Sequence, residues 1–388
     1  MVTLDGWSLT LEQAAAVARN GDEAAISAEA ISRIRKSRDV IDRMAAGDTP
    51  VYAVNTGVGY LSDQRVAADE IEQLQLNVVR SHACGVGEPL PREVVRAMML
   101  IRANVLAKGH SGIRPVVARR LCALLNKGVT PVVPSRGSVG ASGDLAPLAH
   151  MALVLIGEGE AEFDGRRMPG GEALTGAGIE PIKLKAKEGI SLVNGTQAML
   201  GCGGMALIDA EVLAEIADAA CALSLDALRG TPRAFDERIH QVRPHPGQLA
   251  SARLMERLLA GSEIRDSHRT CRHVQDAYSL RCAPQVHGAV RDVLAETRRV
   301  FSIELNSATD NPLVFGDEIL SGGNFHGQHL ALAMDSTAIA LAALAGISER
   351  RIDRLVNPML SEGLPAFLAG HAGLESGFMM VQMTAASL

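Results

Sequence analysis

The sequence predicts a mainly α-helical protein, in which a bundle of long helices follows a smaller mixed N-terminal part. Two observations predict this fold class. Apolar residues recur at three- and four-residue intervals, which is the period of a helix that buries one face. Several of these stretches exceed the length of an ordinary globular helix, which is typical of a bundle. The six stretches cover residues 94–106, 116–125, 145–155, 198–228, 286–305 and 330–355.

The distribution of these stretches along the chain predicts two parts. Most of the long ones lie in the second half, so we predict an N-terminal part over residues 1–195 and a central long-helix bundle over 196–388. A further apolar helix begins near residue 377 and has neither a glycine cap nor a polar tail. Because helices usually end on such signals, we expect the bundle to be cut short and the natural polypeptide to continue beyond Leu388.

Glycine-rich segments separate the helices. Glycine reaches backbone conformations that are closed to other residues, and loops of this kind often carry functional groups. Between residues 157 and 187, the sequence Phe163-Asp164-Gly165-Arg166-Arg167 predicts a small hairpin followed by an irregular connection. The glycine-rich segments are 55–59, 137–143, 165–178 and 321–327.

Composition narrows the class of partner. Of the 388 residues, 47% are hydrophobic, which is enough for a sizeable core. The net charge of -6 is scattered along the chain and only 3% of residues are aromatic. Proteins that bind nucleic acids or membranes usually carry blocks of charge or aromatic stacking platforms. We therefore expect a small-molecule substrate, no nucleic acid and no membrane.

The cysteines and the N-terminus predict the compartment. No two cysteines form a C-x-x-C pair, so we interpret them as reduced core residues. The N-terminus lacks a basic start with an apolar core, and we expect no apolar run of membrane-spanning length. These features favour the cytoplasm. The six cysteines lie at 84, 122, 202, 221, 271 and 282.

The small-residue segment 137–148 has two interpretations. The simpler one is a loop that leads into a helix, with Asp144 as its N-cap and Pro147 in its first turn. The other is a self-cyclising tripeptide, Ala141-Ser142-Gly143: the Gly143 amide nitrogen attacks the Ala141 carbonyl, and loss of water leaves a methylene group from Ser142. Gly143 has no Cβ to block that approach. The product, a 4-methylidene-imidazole-5-one, is an uncharged electrophile that accepts an amine.

This segment resembles the signature of the aromatic amino acid lyases, and in particular of the histidine ammonia-lyases. Five further segments resemble the same family in the same order, and the resemblance covers essentially the whole chain. It implies the lyase fold, an electrophile formed autocatalytically with no external cofactor, and a homotetramer with shared active sites. It also implies conversion of L-histidine to trans-urocanate and ammonia. The five segments are 54–57, 80–87, 192–197, 274–282 and 322–327.

The resemblance assigns catalytic roles that suit each side chain. The reaction removes a weakly acidic β-hydrogen and expels ammonia, so it needs an electron sink, a base and a fixed substrate. Tyr52 matches the family's catalytic tyrosine and would take the β-proton, and Tyr278 matches the second tyrosine. Arg281 would hold the substrate carboxylate through two parallel hydrogen bonds, and Gln275 shares its face. Asn194 matches the residue that hydrogen-bonds the electrophile.

Three further residues complete the predicted site. Phe325 resembles the residue that packs against the electrophile ring, and Asn311 resembles a substrate-site asparagine. His82 resembles the residue that the histidine-using members place beside the substrate ring, where it would hydrogen-bond the imidazole. Without the resemblance, Tyr52 and Phe325 read as core residues and Arg281 as a surface residue. Asn194 and Asn311 then read as turn residues and His82 as structural.

The sequence departs from the family pattern at a few positions, and other functions stay open. Val58, Ala277, Ala283 and the pair Gln328-His329 replace residues that the family usually has, which bears on fine specificity. The histidines lack the companions that a zinc site needs, so we expect no metal. One alternative is an aminomutase, or a lyase for another aromatic amino acid, with the same electrophile; another is an inactive helical scaffold.

Overall fold

The computed structural model describes residues 1–268 and 274–388. Within these ranges the chain is mainly helical, as the sequence predicts. The helices are α1 (Leu11–Ala15), α2 (Ala28–Ala46), α3 (Ile71–His82), α4 (Arg92–Ala107), α5 (Pro115–Asn126), α6 (Leu145–Leu155), α7 (Gly170–Gly176), α8 (Glu188–Val193), α9 (Gln197–Ala227), α10 (Glu237–Gln241), α11 (Pro246–Leu258), α12 (Glu263–Asp266), α13 (Tyr278–Arg281), α14 (Ala283–Leu305), α15 (Gln328–Val356) and α16 (Met379–Ser387).

Short strands form small sheets. Strand β1 pairs with β2 in parallel, and the remaining pairs are antiparallel: β3 with β5, β6 with β4 and β7, and β8 with β9. The strands are β1 (Val2–Leu4), β2 (Ala24–Ile26), β3 (Val86–Pro89), β4 (Thr130–Pro131), β5 (Pro134–Arg136), β6 (Glu160–Phe163), β7 (Arg166–Pro169), β8 (Leu313–Phe315) and β9 (Glu318–Leu320). The β6–β7 hairpin confirms the turn predicted at Asp164-Gly165.

The chain folds into two compact units. The first contains residues 1–206 and 300–332, and the second contains residues 207–299 and 333–388. In the first, every residue of α4 from Val94 to Ala107 is buried, so this helix has no solvent face there. In the second, Leu280 packs into a core with Cys221 and Phe235, which anchors α13. The predicted division at 195/196 stays a prediction; the first compact unit differs from the predicted N-terminal part by also containing residues 196–206 and 300–332.

All six predicted helices are confirmed, with ends within a few residues of the expected ones. The stretch 94–106 is α4, 116–125 is α5, 145–155 is α6, and the three long stretches are α9, α14 and α15. Their apolar residues suffice to fix them because helical periodicity is a local property of the sequence. Proline at the first position of α5 adds a start signal, since its fixed φ suits a helix N-terminus.

Three expectations need correction. The glycine-rich segment 165–178 is not a plain loop, because it contains β7 and α7, and α7 buries Ala173 and Leu174. Cys84 is exposed and Cys202 and Cys282 are half-buried, so only Cys122 and Cys221 are core residues; all five are free thiols. Cys271 lies outside the described residues.

The third correction concerns α15. By length and composition this helix could cross a membrane, with a mean hydropathy of 1.8 over eighteen residues, so the expectation of no such run is wrong. Only 22% of that window is buried. One helix of this kind says little about a membrane, since apolar helices that pack against other protein surfaces have the same composition.

Candidate active site

The tripeptide Ala141-Ser142-Gly143 lies in a tight loop between β5 and α6. Gly140 and Gly143 form a bridge and both have positive φ, 75° and 79°. A Cβ on Gly143 would lie 2.8 Å from the carbonyl oxygen of Gly195, so no other residue fits without displacing backbone. Ala141 and Ser142 are exposed, whereas Gly143 is buried. The loop therefore presents the two residues before Gly143 to solvent and fixes the third.

Asp144 fixes the end of this loop in a way that the sequence did not predict. It occupies the N-cap position of α6, but its side chain makes no capping bond to that helix. Its carboxylate instead accepts hydrogen bonds from Ser138 Oγ at 2.6 Å and from the Met199 amide at 2.9 Å. Burial raises the pKa of this carboxyl, and these hydrogen bonds oppose that rise. Asp144 thus ties the loop to the start of α9.

Asn194 and Gly195 form the opposite wall. The Gly195 carbonyl accepts a hydrogen bond of 2.6 Å from the Asp144 amide. The Asn194 side chain is buried, and its Nδ2 donates to the carbonyl of Asn311 at 3.2 Å. The Asn311 peptide bond to Pro312 is cis. The predicted residue Asn311 therefore lies directly beside the predicted residue Asn194.

The segment carrying Phe325 joins the same cluster. Asn311 Oδ1 accepts from the amide of Gly322 at 2.7 Å, and the amide of Gly327 donates to the carbonyl of Gly140 at 2.9 Å. Phe325 lies between these two attachments and is half-buried. The first unit thus brings the tripeptide, Asn194, Asn311 and the Phe325 segment together.

Tyr52 lies in a turn that follows α2. Its hydroxyl oxygen accepts a hydrogen bond of 3.2 Å from the Gly59 amide, and its side chain is half-buried. The next residue, Ala53, has a φ of 57°, and Asn55 holds the turn closed by accepting from the Val51 amide at 2.7 Å. Among the described residues, no hydrogen bond joins Tyr52 to the tripeptide. The turn therefore fixes the position of the Tyr52 hydroxyl.

His82 is the last residue of α3 and is half-buried. Its Nδ1 lies 2.7 Å from the carbonyl oxygen of Val78, one turn earlier. A carbonyl can only accept, so Nδ1 donates to it, and in the neutral tautomer with this proton Nε2 is an acceptor. The bond to Val78 gives His82 a structural role at the helix end. The predicted contact of its other ring nitrogen with a substrate N–H stays a prediction.

Tyr278 and Arg281 lie in the second unit, at opposite ends of the one-turn helix α13. The Arg281 guanidinium stacks on the Tyr278 ring, with its carbon 4.5 Å from the ring centroid. Tyr278 is 72% exposed. Arg281 Nε is buried and has no hydrogen-bond partner within residues 1–268 and 274–388. An arginine held by an aromatic face, with donor capacity to spare, is suited to bind a carboxylate.

Gln275 precedes α13 and is exposed. Gln275 and Arg281 line the same cavity of about 320 Å³, together with Asp276 and Gln285. A cavity of this size accommodates a small amino acid. The second unit therefore brings Tyr278 and Arg281 into contact and places Gln275 beside Arg281 in the cavity.

Sequence reasoning missed three charged residues of the first unit. Arg102 and Lys187 are fully buried, and Lys187 Nζ contacts the buried carboxylate of Asp310 at 3.0 Å. Arg102 Nη1 donates to the carbonyl of Asn194 at 2.8 Å. For Arg102 the sequence contains one signal, a charged residue inside the otherwise apolar helical stretch 94–106. Such a residue indicates a role, because an unpaired charge is rarely buried without one.

Known proteins of one family are similar to this chain over its whole length. A family model described as aromatic amino acid lyase matches residues 9–388. The histidine ammonia-lyase of Koribacter versatilis is 59% identical, over 99% of this chain and 77% of that protein. The crystal structure of histidine ammonia-lyase from Trypanosoma cruzi is 44% identical with a TM-score of 0.90, and the match covers 100% of this chain and 73% of that one. The tyrosine aminomutase of Streptomyces globisporus is 42% identical with a TM-score of 0.93, over 100% and 77% of the two chains.

Proposed function

The chain belongs to the aromatic amino acid lyase family, and on that premise we propose that it is a histidine ammonia-lyase. It would eliminate ammonia from L-histidine without oxidation and release trans-urocanate, the first step of histidine degradation. The observation that carries this proposal is the glycine loop: Gly143 has a positive φ and rests on Gly195, with Ala141 and Ser142 exposed beside it. Such a loop is built for the self-cyclisation that the family signature implies.

The residues present fit the methylidene-imidazolone group. A Cβ on Gly143 would collide with the backbone of Gly195, and the bridge between Ala141 and Gly143 brings their backbones side by side. Once formed from Ala141-Ser142-Gly143, the group would supply an uncharged electrophile that withdraws electrons from the substrate. Asn194 and Phe325 would hold it in place.

The polar side chains would orient the substrate and move its proton. We assign Arg281 to the substrate carboxylate, because its guanidinium is fixed over Tyr278 and retains unused donor capacity. Tyr52 would accept the β-proton, since its oxygen is fixed by the Gly59 amide. Tyr278 would act as the second catalytic tyrosine, and Gln275 would line the substrate site.

His82 supports a histidine substrate. With its Nδ1 proton engaged by Val78, its Nε2 would accept a hydrogen bond from the substrate imidazole. Phenylalanine has no ring donor and would leave that acceptor unpaired, which disfavours it. The higher identity to the Koribacter enzyme than to the tyrosine aminomutase, 59% against 42%, points the same way.

Subunit assembly and compartment complete the proposal. The family resemblance implies a homotetramer with shared sites, and exposed apolar side chains on α9 and α15, including Ile216 at 55% and Ile339 at 74%, support packing between subunits. Packing of subunits through these faces would cover them. We expect the enzyme in the cytoplasm, where an exposed free thiol such as Cys84 stays reduced.

The test combines an intact mass of the purified chain with an ultraviolet assay for urocanate on addition of L-histidine. We expect a mass lower than that of the encoded chain by two waters, together with urocanate and free ammonia in equal amounts. The Ser142→Ala variant, which lacks the hydroxyl that leaves, is the control and should show neither. A β-amino acid in place of urocanate would establish an aminomutase. An unshifted mass without turnover would refute the proposal and favour a helical scaffold.

A further inference from the structure

Two cations and one carboxylate are fully buried together in the first unit. Arg102 lies on α4, Lys187 immediately precedes α8, and Asp310 follows α14; each is at most 1% exposed. Burial lowers the pKa of Arg102 to about 10 and also lowers that of Lys187, while Asp310 opposes both shifts. Burying more positive than negative charge is costly, so the arrangement calls for an explanation beyond packing.

The Lys187–Asp310 pair leads to Asn194. Lys187 Nζ donates to Asp310 Oδ2 at 3.0 Å and to Ser191 Oγ at 2.8 Å. The other oxygen of Asp310 accepts from the Asn311 amide at 2.7 Å, and the Asn311 carbonyl accepts from Asn194 Nδ2 at 3.2 Å. The ion pair therefore fixes Asn311, the residue whose carbonyl holds the Asn194 side chain.

Arg102 holds the same segment from its other side. Its Nη1 donates to the Asn194 carbonyl at 2.8 Å and to Gln197 Oε1 at 3.0 Å. It also lies so close to Gly195 that a Cβ there would be 2.5 Å from Nη1. Gly195 is in turn the surface on which Gly143 rests. Thus Arg102 fixes the backbone that confines the tripeptide.

We propose that Arg102 and the Lys187–Asp310 pair are positioning residues for formation of the electrophile. They hold Asn194 and Gly195 rigid, so that the tripeptide backbone stays in the compressed geometry that ring closure needs. They touch none of the reacting atoms. This inference rests on the proposed function and extends it to residues that the family signature segments do not include.

The reaction they support is a double dehydration. The Gly143 nitrogen bonds to the Ala141 carbonyl carbon, and that oxygen leaves as water with the amide protons of Gly143 and Ser142. The Ser142 hydroxyl leaves as a second water with the Ser142 α-proton. No oxidant or other reactant is required, so the mass of the chain reports completion directly and independently of turnover.

The closing experiment compares two buried arginines on one helix. Arg96 is 1% exposed and its pKa is also lowered to about 10 by burial, but it donates to carbonyls of Val17, Ala18 and Leu125. We expect folded Arg102→Met to be cyclised at least about tenfold more slowly than wild type, since it loses a charge-assisted hydrogen bond at Asn194. Arg96→Met should lose stability to a similar extent and still reach the wild-type mass.

Two further variants keep the inference testable if Arg102→Met does not fold. Arg102→Lys retains the charge and one donor, so it should recover part of the cyclisation. Asp310→Asn retains the shape of the side chain and should cyclise slowly. Complete cyclisation of the Arg102 and Asp310 variants would overturn the inference without affecting the proposed function. Cyclisation of Arg96→Met that is slowed as much as that of Arg102→Met would do the same. A wild-type chain that never loses two waters would instead overturn the proposed function.

Discussion

Replacing Arg281 with lysine tests the carboxylate contact most directly. Arginine can make two charge-assisted hydrogen bonds to a carboxylate, and lysine retains the charge but only one such bond, a loss of about 1.5–3 kcal/mol. Arg281→Lys also loses the stacking on Tyr278, which at a ring 72% exposed is worth about 0.5–1 kcal/mol. Because the stacking is present with and without substrate, the fall in kcat/KM follows from the lost bond alone, about 1.5–3 kcal/mol, or roughly 10- to 150-fold.

The assay measures the rate of urocanate formation over a range of histidine concentrations. Histamine, which has the imidazole and amine of histidine but no carboxylate, serves as a competitive inhibitor, and its inhibition constant should not change. Arg253→Lys, an exposed arginine of the same unit paired with Glu237, is the matched control and should behave as wild type. The reasoning is refuted if Arg281→Lys keeps kcat/KM within about threefold, or if histamine binding weakens by the same factor.

Three further predictions concern stability and cyclisation. Asp218→Asn should lower the free energy of unfolding by about 3–5 kcal/mol in urea denaturation, because the buried Asp218 carboxylate pairs with Arg291 and accepts from His287; Glu296→Gln, at an exposed ion pair, is the control and should have no measurable effect. Burial lowers the pKa of His287, so the unfolded chain binds a proton that the folded chain does not, and stability should fall as the pH drops below about 6.5. His287→Gln should flatten that slope, and an unchanged slope would contradict the assignment. Gly143→Ala should abolish the loss of two waters, since its Cβ would lie 2.8 Å from the Gly195 oxygen; a fully shifted mass would show that the loop tolerates a side chain.

Much of the fold could be predicted because it depends on local periodicity. The helix predicted over 145–155 is α6 with the same ends, and the hairpin at Asp164-Gly165 follows from its turn residues. The grouping of residues 300–332 with the first unit could not be predicted. It depends on contacts such as Asn194 to Asn311, whose sequence separation leaves no periodic signal.

The site divides in the same way. Tyr278 and Arg281 could be placed together because three-residue spacing on a helix puts side chains on one face. The partners of Arg102 could not be predicted, since α4 is buried on all faces and its apolar period indicates no solvent side. Asp144 was assigned a role in its own helix because capping is inferred from neighbouring residues, whereas its carboxylate bonds to Met199 on another helix.

The attachment of Gly327 to Gly140 also has a consequence for biosynthesis. The ribosome adds about 5–20 residues per second, so Gly327 is made roughly ten to forty seconds after Gly143. Until then the nascent chain has neither this clamp nor the Asn311 carbonyl that receives Asn194. The electrophile that we propose would therefore form only after the chain has been synthesised past Gly327, so that the reactive group is not exposed on a shorter nascent chain.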